Sequence, residues 1–293
     1  MKPMLAHRFS SKTAYFPCFG QPKLNGVRGI WLNGQLISRG RPNENGIEWD
    51  PYVLPHIFSA LNFLMSRSGQ SFLLDGELYC HGLSLQQINS RVAVNRTHPH
   101  DKVHEVKYHI FDIPHHAPFS RRAGWLSNLA GLVESDPFLS NALSIVPTTY
   151  LNSSHEAEQF YKLQRADKFE GAMYRDPNAP YGFAARCSNK ENRWKCLLKR
   201  KAELDLDATI IGMDKGTDGK GFADTMGSLI LELDNGIKFN SGSGVQLAQR
   251  DLVAKCIDEL VANKTRVRVL YDELSDAGVP LRNRIECIYD PRF

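Results

Sequence analysis

The chain has 293 residues, a length that suggests two domains and allows one large one. With 42% hydrophobic and 23% charged residues it has a globular composition, which excludes disordered, collagenous and low-complexity chains. Lys+Arg outnumber Asp+Glu by 36 to 32, and this net +4 is compatible with a nucleic-acid partner without demanding one.

Residues 26–39 alternate apolar and polar side chains around Asn33-Gly34, which predicts a β-hairpin with a type I′ turn. Residues 71–80 read as a buried strand. Ser84 with Gln87 makes a capping box that opens a short helix through Val94. Strands are expected at 105–113, 143–151 and 169–175, and helices at 120–134 and 153–167, the second opened by Ser153 with Glu156. Through about residue 201 this mixture predicts an α+β domain with antiparallel sheets.

Beyond it come a strand at 205–213, a glycine-rich loop, a hairpin at 228–240 about Asn235-Gly236, an amphipathic helix at 246–263, and strands at 266–274 and 284–289. Three strands, a helix and two strands is the order of an OB-fold, a five-stranded barrel that binds oligonucleotides. The expected domains are therefore 1–201 and 202–293, with a hinge near Ala202.

No apolar run approaches the ~18 residues of a membrane span. The start, Met1-Lys2-Pro3-Met4-Leu5-Ala6-His7-Arg8, has no apolar h-region, so no signal peptide and a cytoplasmic setting are expected. The six cysteines are scattered without a C-x-x-C pair and read as reduced core residues, with zinc or disulfides as the alternatives. Six of the ten histidines fall between His98 and His116 without a convincing ligand pattern; solvated loops explain them, and a metal site is the alternative.

Four segments carry chemistry. In Lys23-Leu24-Asn25-Gly26-Val27-Arg28, Pro22 stops helix continuation, Gly26 lets the backbone approach a ligand, and Lys23 with Arg28 gathers cations. A lysine amine is a nucleophile only when neutral, and desolvation and neighbouring cations push it that way; a surface turn with two solvated cations is the bland alternative. Leu73-Leu74-Asp75-Gly76-Glu77-Leu78-Tyr79 and Phe169-Glu170-Gly171-Ala172-Met173-Tyr174-Arg175 set acids inside apolar strands, costly unless cations, metal or donors meet them. A bulge at Gly76 with an edge-facing Glu77 is the plain reading of the first. Trp194-Lys195-Cys196-Leu197-Leu198-Lys199-Arg200-Lys201 puts Lys199 and Lys201 on one strand face, or forms a solvated basic edge. Jointly they describe one amine, several phosphate-binding cations and two carboxylates able to hold Mg²⁺, the equipment for nucleotidyl transfer.

In this order the motifs resemble those of the covalent nucleotidyltransferases: ATP-dependent DNA ligases, RNA ligases and mRNA capping enzymes. The likeness is strongest to minimal viral and phage DNA ligases and runs through nearly the whole chain. It includes Phe16-Pro17-Cys18, Ile110-Phe111-Asp112, Met226-Gly227-Ser228 and Ser241-Gly242-Ser243-Gly244. The resemblance implies that Lys23 attacks the α-phosphate of ATP and becomes the lysyl–AMP. It implies that Arg28 and Arg39 lie near the ribose and the nucleic-acid end, that Glu77 binds ribose hydroxyls or metal, and that Phe111 stacks on adenine. It further implies that Glu170 binds metal (Mg²⁺ or Mn²⁺), that Lys199 and Lys201 hold the α-phosphate, and that Arg186 contacts the nucleotide across a one-residue gap in spacing.

Two departures stand out. Asn25 occupies the place of the family's Asp, keeping an acceptor and losing the charge. Residues 214–225 hold Lys215, Lys220 and three glycines where the viral enzymes have a longer latch, so a short basic loop is expected to touch DNA. Arg282 and Arg284 stand where ligases carry a basic motif, and residues 241–244 form a turn into a helix N-terminus, a phosphate site or a plain loop. The expected activity is ATP-dependent sealing of 3′-hydroxyl/5′-phosphate nicks in duplex DNA by a monomer, of use in replication, repair or recombination. An RNA ligase or capping-type guanylyltransferase of the same superfamily, and a non-catalytic nucleic-acid-binding protein with a decayed site, are the rivals. With only +4 overall, DNA binding is expected to rest on cations gathered on one face across both domains.

Overall fold

A computed structural model describes residues 3–10, 12–40, 46–69, 72–182, 193–216 and 225–293. In chain order the elements are β1 (Leu5–Arg8), β2 (Cys18–Lys23), β3 (Val27–Leu32), β4 (Gln35–Ser38), α1 (Pro55–Ser68), β5 (Leu74–Tyr79), α2 (Leu85–Val92), β6 (Lys107–Asp112), α3 (Phe119–Glu134) and α4 (Pro137–Ser140). There follow β7 (Leu143–Ile145), β8 (Thr149–Leu151), α5 (Ser154–Ala166), β9 (Gly171–Arg175), β10 (Arg193–Lys201), β11 (Leu204–Lys215), β12 (Met226–Glu232) and β13 (Lys238–Ser241). The chain ends with α6 (Leu247–Ala262), β14 (Arg266–Tyr271), β15 (Glu273–Leu274), β16 (Pro280–Leu281) and β17 (Arg284–Ile288).

The chain divides into two compact units, Met1–Lys201 and Ala202–Phe293. The first holds two five-stranded sheets, β1-β10-β9-β2-β8 and β4-β3-β5-β6-β7. Most pairings are antiparallel, but β1 runs parallel to β10 and β6 parallel to β7, so the sheets are mixed rather than wholly antiparallel. The segment expected as one strand over 143–151 is two short strands in different sheets. Pro147 separates them, because its ring removes the N–H that a continuous ladder needs.

Local signals act where they are strongest. Asn33 and Gly34 both adopt positive φ (50° and 82°), as the type I′ turn between β3 and β4 requires. Ser84 and Gln87 exchange both capping-box hydrogen bonds at the start of α2. At α5, Ser153 accepts the Glu156 N–H, but the Glu156 carboxylate accepts from Asn152, so only half of that expected box forms. Helix α1 was not among the expected elements, although Pro55 in its first turn and buried Ile57, Phe58, Leu61 and Leu64 at helical spacing carry the signal.

The main core lies between the second sheet and helices α1–α4, around Trp31, Trp49, Leu61, Tyr108 and Leu126. A smaller core packs α5 on the first sheet through Ala157, Phe160, Tyr174 and Leu198. The second unit builds its own core around Ile210, Leu229, Val253, Leu260 and Val267. Its main sheet has the order β13-β12-β11-β14-β17, with α6 between β13 and β14 in sequence, as the OB-fold expectation required. Among the described residues β13 and β17 do not pair, so a closed barrel is not seen. No described helix is long and apolar enough to cross a membrane.

Candidate active site

Lys23 ends β2, directly opposite Gly171 of β9, and Gly171 is in turn opposite Lys201 of β10. Opposed residues share a sheet face, so Lys23 and Lys201 project to the same side, two strand spacings or about 10 Å apart. Gly171 stands between them. A Cβ there would lie 2.0 Å from the Arg200 carbonyl oxygen, so the gap between the lysines is kept by backbone packing. The next row on this face is Gln21, Met173 and Lys199. Arg200 points to the opposite face, paired with Glu158 at 2.6 Å and lying over the Tyr161 ring at 4.1 Å.

Glu170 immediately precedes β9. Its N–H donates to the Lys23 carbonyl oxygen at 3.1 Å, and its carboxylate accepts from Lys23 Nζ. The same extension of the β2–β9 ladder therefore delivers both the amine and its counterion.

The second sheet supplies the other wall. Leaving β2, the chain turns at Gly26, whose N–H donates to Glu77 Oε1 at 2.6 Å. A Cβ on Gly26 would sit 2.3 Å from the Leu78 carbonyl oxygen. Only glycine lets the lysine loop approach β5 this closely. Burial raises the Glu77 carboxyl above the usual range, against the opposing pull of Lys23, the Gly26 N–H and Arg28. The ladder between β5 and β6 shifts register at Asp75/Gly76, where a bulge was expected.

Arg28 does not reach freely into solvent. Its Nε and Nη2 donate to the two Asp75 carboxylate oxygens at 2.9 and 2.5 Å, and Nη1 donates to the Met4 carbonyl oxygen at 2.8 Å. The Tyr181 hydroxyl donates to Asp75 at 2.6 Å and accepts the Met4 N–H at 3.1 Å. Asp75 is fully buried and its carboxylate raises the Arg28 pKa further, against desolvation. This is how an acid inside an apolar strand is tolerated.

Phe111, half-buried on β6, has the Arg28 and Arg175 guanidinium groups 5.3 and 5.6 Å from its ring centroid. Its carbonyl oxygen accepts from Gln21 Nε2 at 3.0 Å, and Gln21 Oε1 accepts from Arg175 at 2.7 Å. Buried Asp112 accepts from Arg175 at 2.6 Å and from Arg122 at 2.8 Å. Gln21, Arg122, Arg175 and Tyr181 were not among the sequence candidates. Gln21 lies just before one quoted motif and Arg175 ends another, which is a usable signal; Tyr181 meets Asp75 across 106 residues and leaves none.

The remaining candidates lie elsewhere. Arg39 follows β4 and is exposed, as is Lys215 at the end of β11. Arg186 and Lys220 fall outside the described residues. Arg282 faces Asp272 at 3.3 Å and Glu273 at 3.7 Å, and Arg284 pairs with Glu203 at 2.6 Å. The turn at 241–244 packs on β17, with the Ser243 carbonyl oxygen accepting the Ile285 N–H at 2.9 Å. A Cβ on Gly244 would lie 1.9 Å from the Ile285 oxygen. Arg250 donates to the Met226, Gly227 and Gly242 carbonyl oxygens and ties that turn to β12.

Charge is divided unevenly. Residues 1–201 hold 25 Lys+Arg and 16 Asp+Glu, a net +9; residues 202–293 hold 11 and 16, a net −5. The second unit is acidic overall, and its candidate arginines Arg282 and Arg284 face its own carboxylates.

No group of three or more His, Cys, Asp or Glu side chains forms a metal cage among the described residues. The site offers two carboxylates, Glu77 and Glu170, the second already engaged by Lys23. Two hard oxygen donors beside a face carrying Lys23, Lys199 and Lys201 suit Mg²⁺, which keeps several waters and takes few protein ligands.

A family model described as ATP dependent DNA ligase domain matches residues 3–195. A DNA ligase of Haemophilus influenzae is 27% identical over 238 residues, 78% of this chain and 73% of that protein. A DNA ligase of Methanobrevibacter smithii is 28% identical over 204 residues, 64% of this chain and 34% of that protein. A solved Lig E DNA ligase, described as binding DNA with a minimal scaffold, superposes with a TM-score of 0.74 at 22% identity, covering 98% of this chain and 99% of that one. At that identity the likeness shows the fold.

Proposed function

The chain belongs to the ATP-dependent DNA ligase family, a family of nucleotidyltransferase enzymes, and on that premise we propose that it seals nicked duplex DNA with Lys23 as nucleophile. The observation that carries the proposal is the row Lys23–Gly171–Lys201, with Glu170 on Lys23 and Glu77 on the adjoining loop.

In the first step Lys23 Nζ loses a proton and attacks the α-phosphorus of ATP. A P–N bond forms, the bond to the bridging oxygen breaks, and pyrophosphate leaves. Phe111 supports the adenine, and Lys199 and Lys201 offset charge developing on the α-phosphate oxygens. In the second step an oxygen of the DNA 5′-phosphate attacks the same phosphorus; the P–N bond breaks and the amine is released. In the third the 3′-hydroxyl attacks the activated 5′-phosphate, the phosphodiester forms and AMP departs. Glu77 and Glu170 would hold Mg²⁺, which supplies Lewis-acid polarisation of phosphate oxygens.

Glu170 has a further duty. Its carboxylate accepts from Lys23 Nζ and so holds the amine beside Gly171 on the shared sheet face. Residues 1–201 act as the adenylation domain and residues 202–293 as an OB-fold, with DNA phosphates held mainly by the basic first unit. The test is direct. Lys23→Ala is expected to abolish covalent labelling by ATP radioactive at the α-phosphate and to abolish sealing of a fluorescent nicked duplex. A labelled mutant would overturn the assignment, and RNA-substituted nicks run alongside read out the polynucleotide preference.

A further inference from the structure

One rigid side chain beside the site has no part in the steps above. On β5, Glu77 and Tyr79 project to the same face, and Glu77 is opposite His109, with Phe111 one step further along β6. Glu77 thus stands between Phe111 at one end of this face and Tyr79 at the other. Residues 80–83 then form a tight turn: the Leu83 N–H donates to the Cys80 carbonyl oxygen at 3.3 Å, and Gly82 has φ +86°. His81 occupies the corner of that turn, and the chain runs directly into the capped start of α2. The backbone of His81 is therefore fixed from both sides.

Its ring is fixed as well. The Tyr79 hydroxyl lies 2.9 Å from His81 Nδ1, and the His81 ring lies 4.7 Å from the Phe169 ring. Phe169 precedes Glu170, whose carboxylate meets Lys23. His81 is consequently separated from the reacting amine by one pair of neighbouring residues, yet it is exposed. Ordering an exposed side chain costs rotamer entropy with little burial in return. Such an arrangement is useful when a ligand takes the free edge. The Nδ1 contact with the Tyr79 hydroxyl leaves Nε2 as the ring nitrogen directed away from Tyr79, and a neutral imidazole whose Nδ1 accepts has its N–H there.

We propose that His81 is a nucleic-acid contact: its Nε2–H donates to a phosphate oxygen of a strand being joined, with Tyr79 and Phe169 as positioning residues. The inference rests on the ligase function above. A nucleotide with its base on Phe111 and its ribose near Glu77 leaves the Tyr79 end of this face to the second substrate. Phosphate oxygens are the commonest hydrogen-bond acceptors that DNA offers to protein side chains.

The full chain is first loaded with AMP, and transfer of AMP to nicked duplex is followed in single turnovers over a range of nick concentrations. His81→Ala is expected to raise the half-saturating nick concentration about tenfold, and His81→Gln, which restores an amide donor, to recover most of that loss. Tyr79→Phe is expected to fall between. Methylphosphonate linkages placed one at a time near the nick are expected to weaken the wild-type protein at one position and to have no effect there on His81→Ala, a pattern that altered folding cannot produce. Unchanged half-saturation in His81→Ala overturns the inference. So does an equal loss in Lys23 labelling by ATP, which would give the contact to the triphosphate instead. Failure of the wild-type chain to form lysyl–AMP would overturn the ligase function itself and is read before any variant.

Discussion

Arg28 grips Asp75 through two parallel hydrogen bonds, at 2.9 and 2.5 Å, and Asp75 has no exposed surface. The pair joins β3 to β5 beneath the lysine loop, and Tyr181 and Met4 close it from distant parts of the chain. A buried carboxylate that loses its cation is left uncompensated, at a cost of about 3–5 kcal/mol. Arg28→Ala is therefore expected to lower the melting temperature markedly, and Arg28→Lys to recover only part of it because an ammonium cannot reproduce the fork. Thermal denaturation followed by circular dichroism measures both; equal stability of Arg28→Ala and wild type would refute the structural role.

Gly26→Ala tests the approach of the lysine loop to β5. The added methyl meets a backbone oxygen at 2.3 Å, so the loop must move and carry Lys23 with it. A displacement of about 1 Å at a reacting group costs on the order of 100-fold in rate. Labelling by ATP is expected to slow by that order while the melting temperature changes little. An unaffected labelling rate would show that the close approach is dispensable.

His109, opposite Glu77, and His56, whose Nε2 lies 2.9 Å from the Val106 carbonyl oxygen, are both shifted down by burial, His109 to about 4. For His109, nearby Lys107 acts in the same direction. Between pH 4 and the unfolded value of about 6.5 the unfolded chain binds more protons than the folded one, so stability falls as pH falls. Urea titrations from pH 7 to pH 4 are expected to show a loss of up to about 3 kcal/mol from His109. His109→Gln should flatten the profile; an unchanged slope would assign the acid sensitivity to other groups.

The acidic second unit leads to a prediction about salt. Arg282 and Arg284 already face Asp272, Glu273 and Glu203. Replacing both by Ala is expected to change nick affinity less than about threefold and the salt slope by less than one phosphate equivalent. Fluorescence anisotropy with labelled nicked duplex between 50 and 200 mM salt gives both quantities. A large fall in slope would restore these arginines as DNA contacts.

How much of this was legible beforehand depended on range. The type I′ turn at Asn33-Gly34 and the Ser84/Gln87 box form because their signals act within four residues. Proline decided 143–151 equally locally, but whether its two halves share a sheet depended on partners far along the chain. The face shared by Lys199 and Lys201 follows from strand periodicity; that Lys23 stands on the same face required the register of β2, β9 and β10.

The sequence by itself determined the chemical inventory. It set one lysine before a glycine turn, acids inside apolar strands, an alternating basic strand, and a +4 charge split into +9 and −5 along the chain. Only the tertiary structure decided which of these groups meet. Arg28 had the charge to touch a nucleotide, yet its fork is taken by Asp75 because a buried carboxylate must be neutralised before anything else. His81 carried no signal of its own in sequence; the 80–83 turn and Tyr79 place its ring locally, and only the tertiary structure brings the distant Phe169 to within 4.7 Å of it.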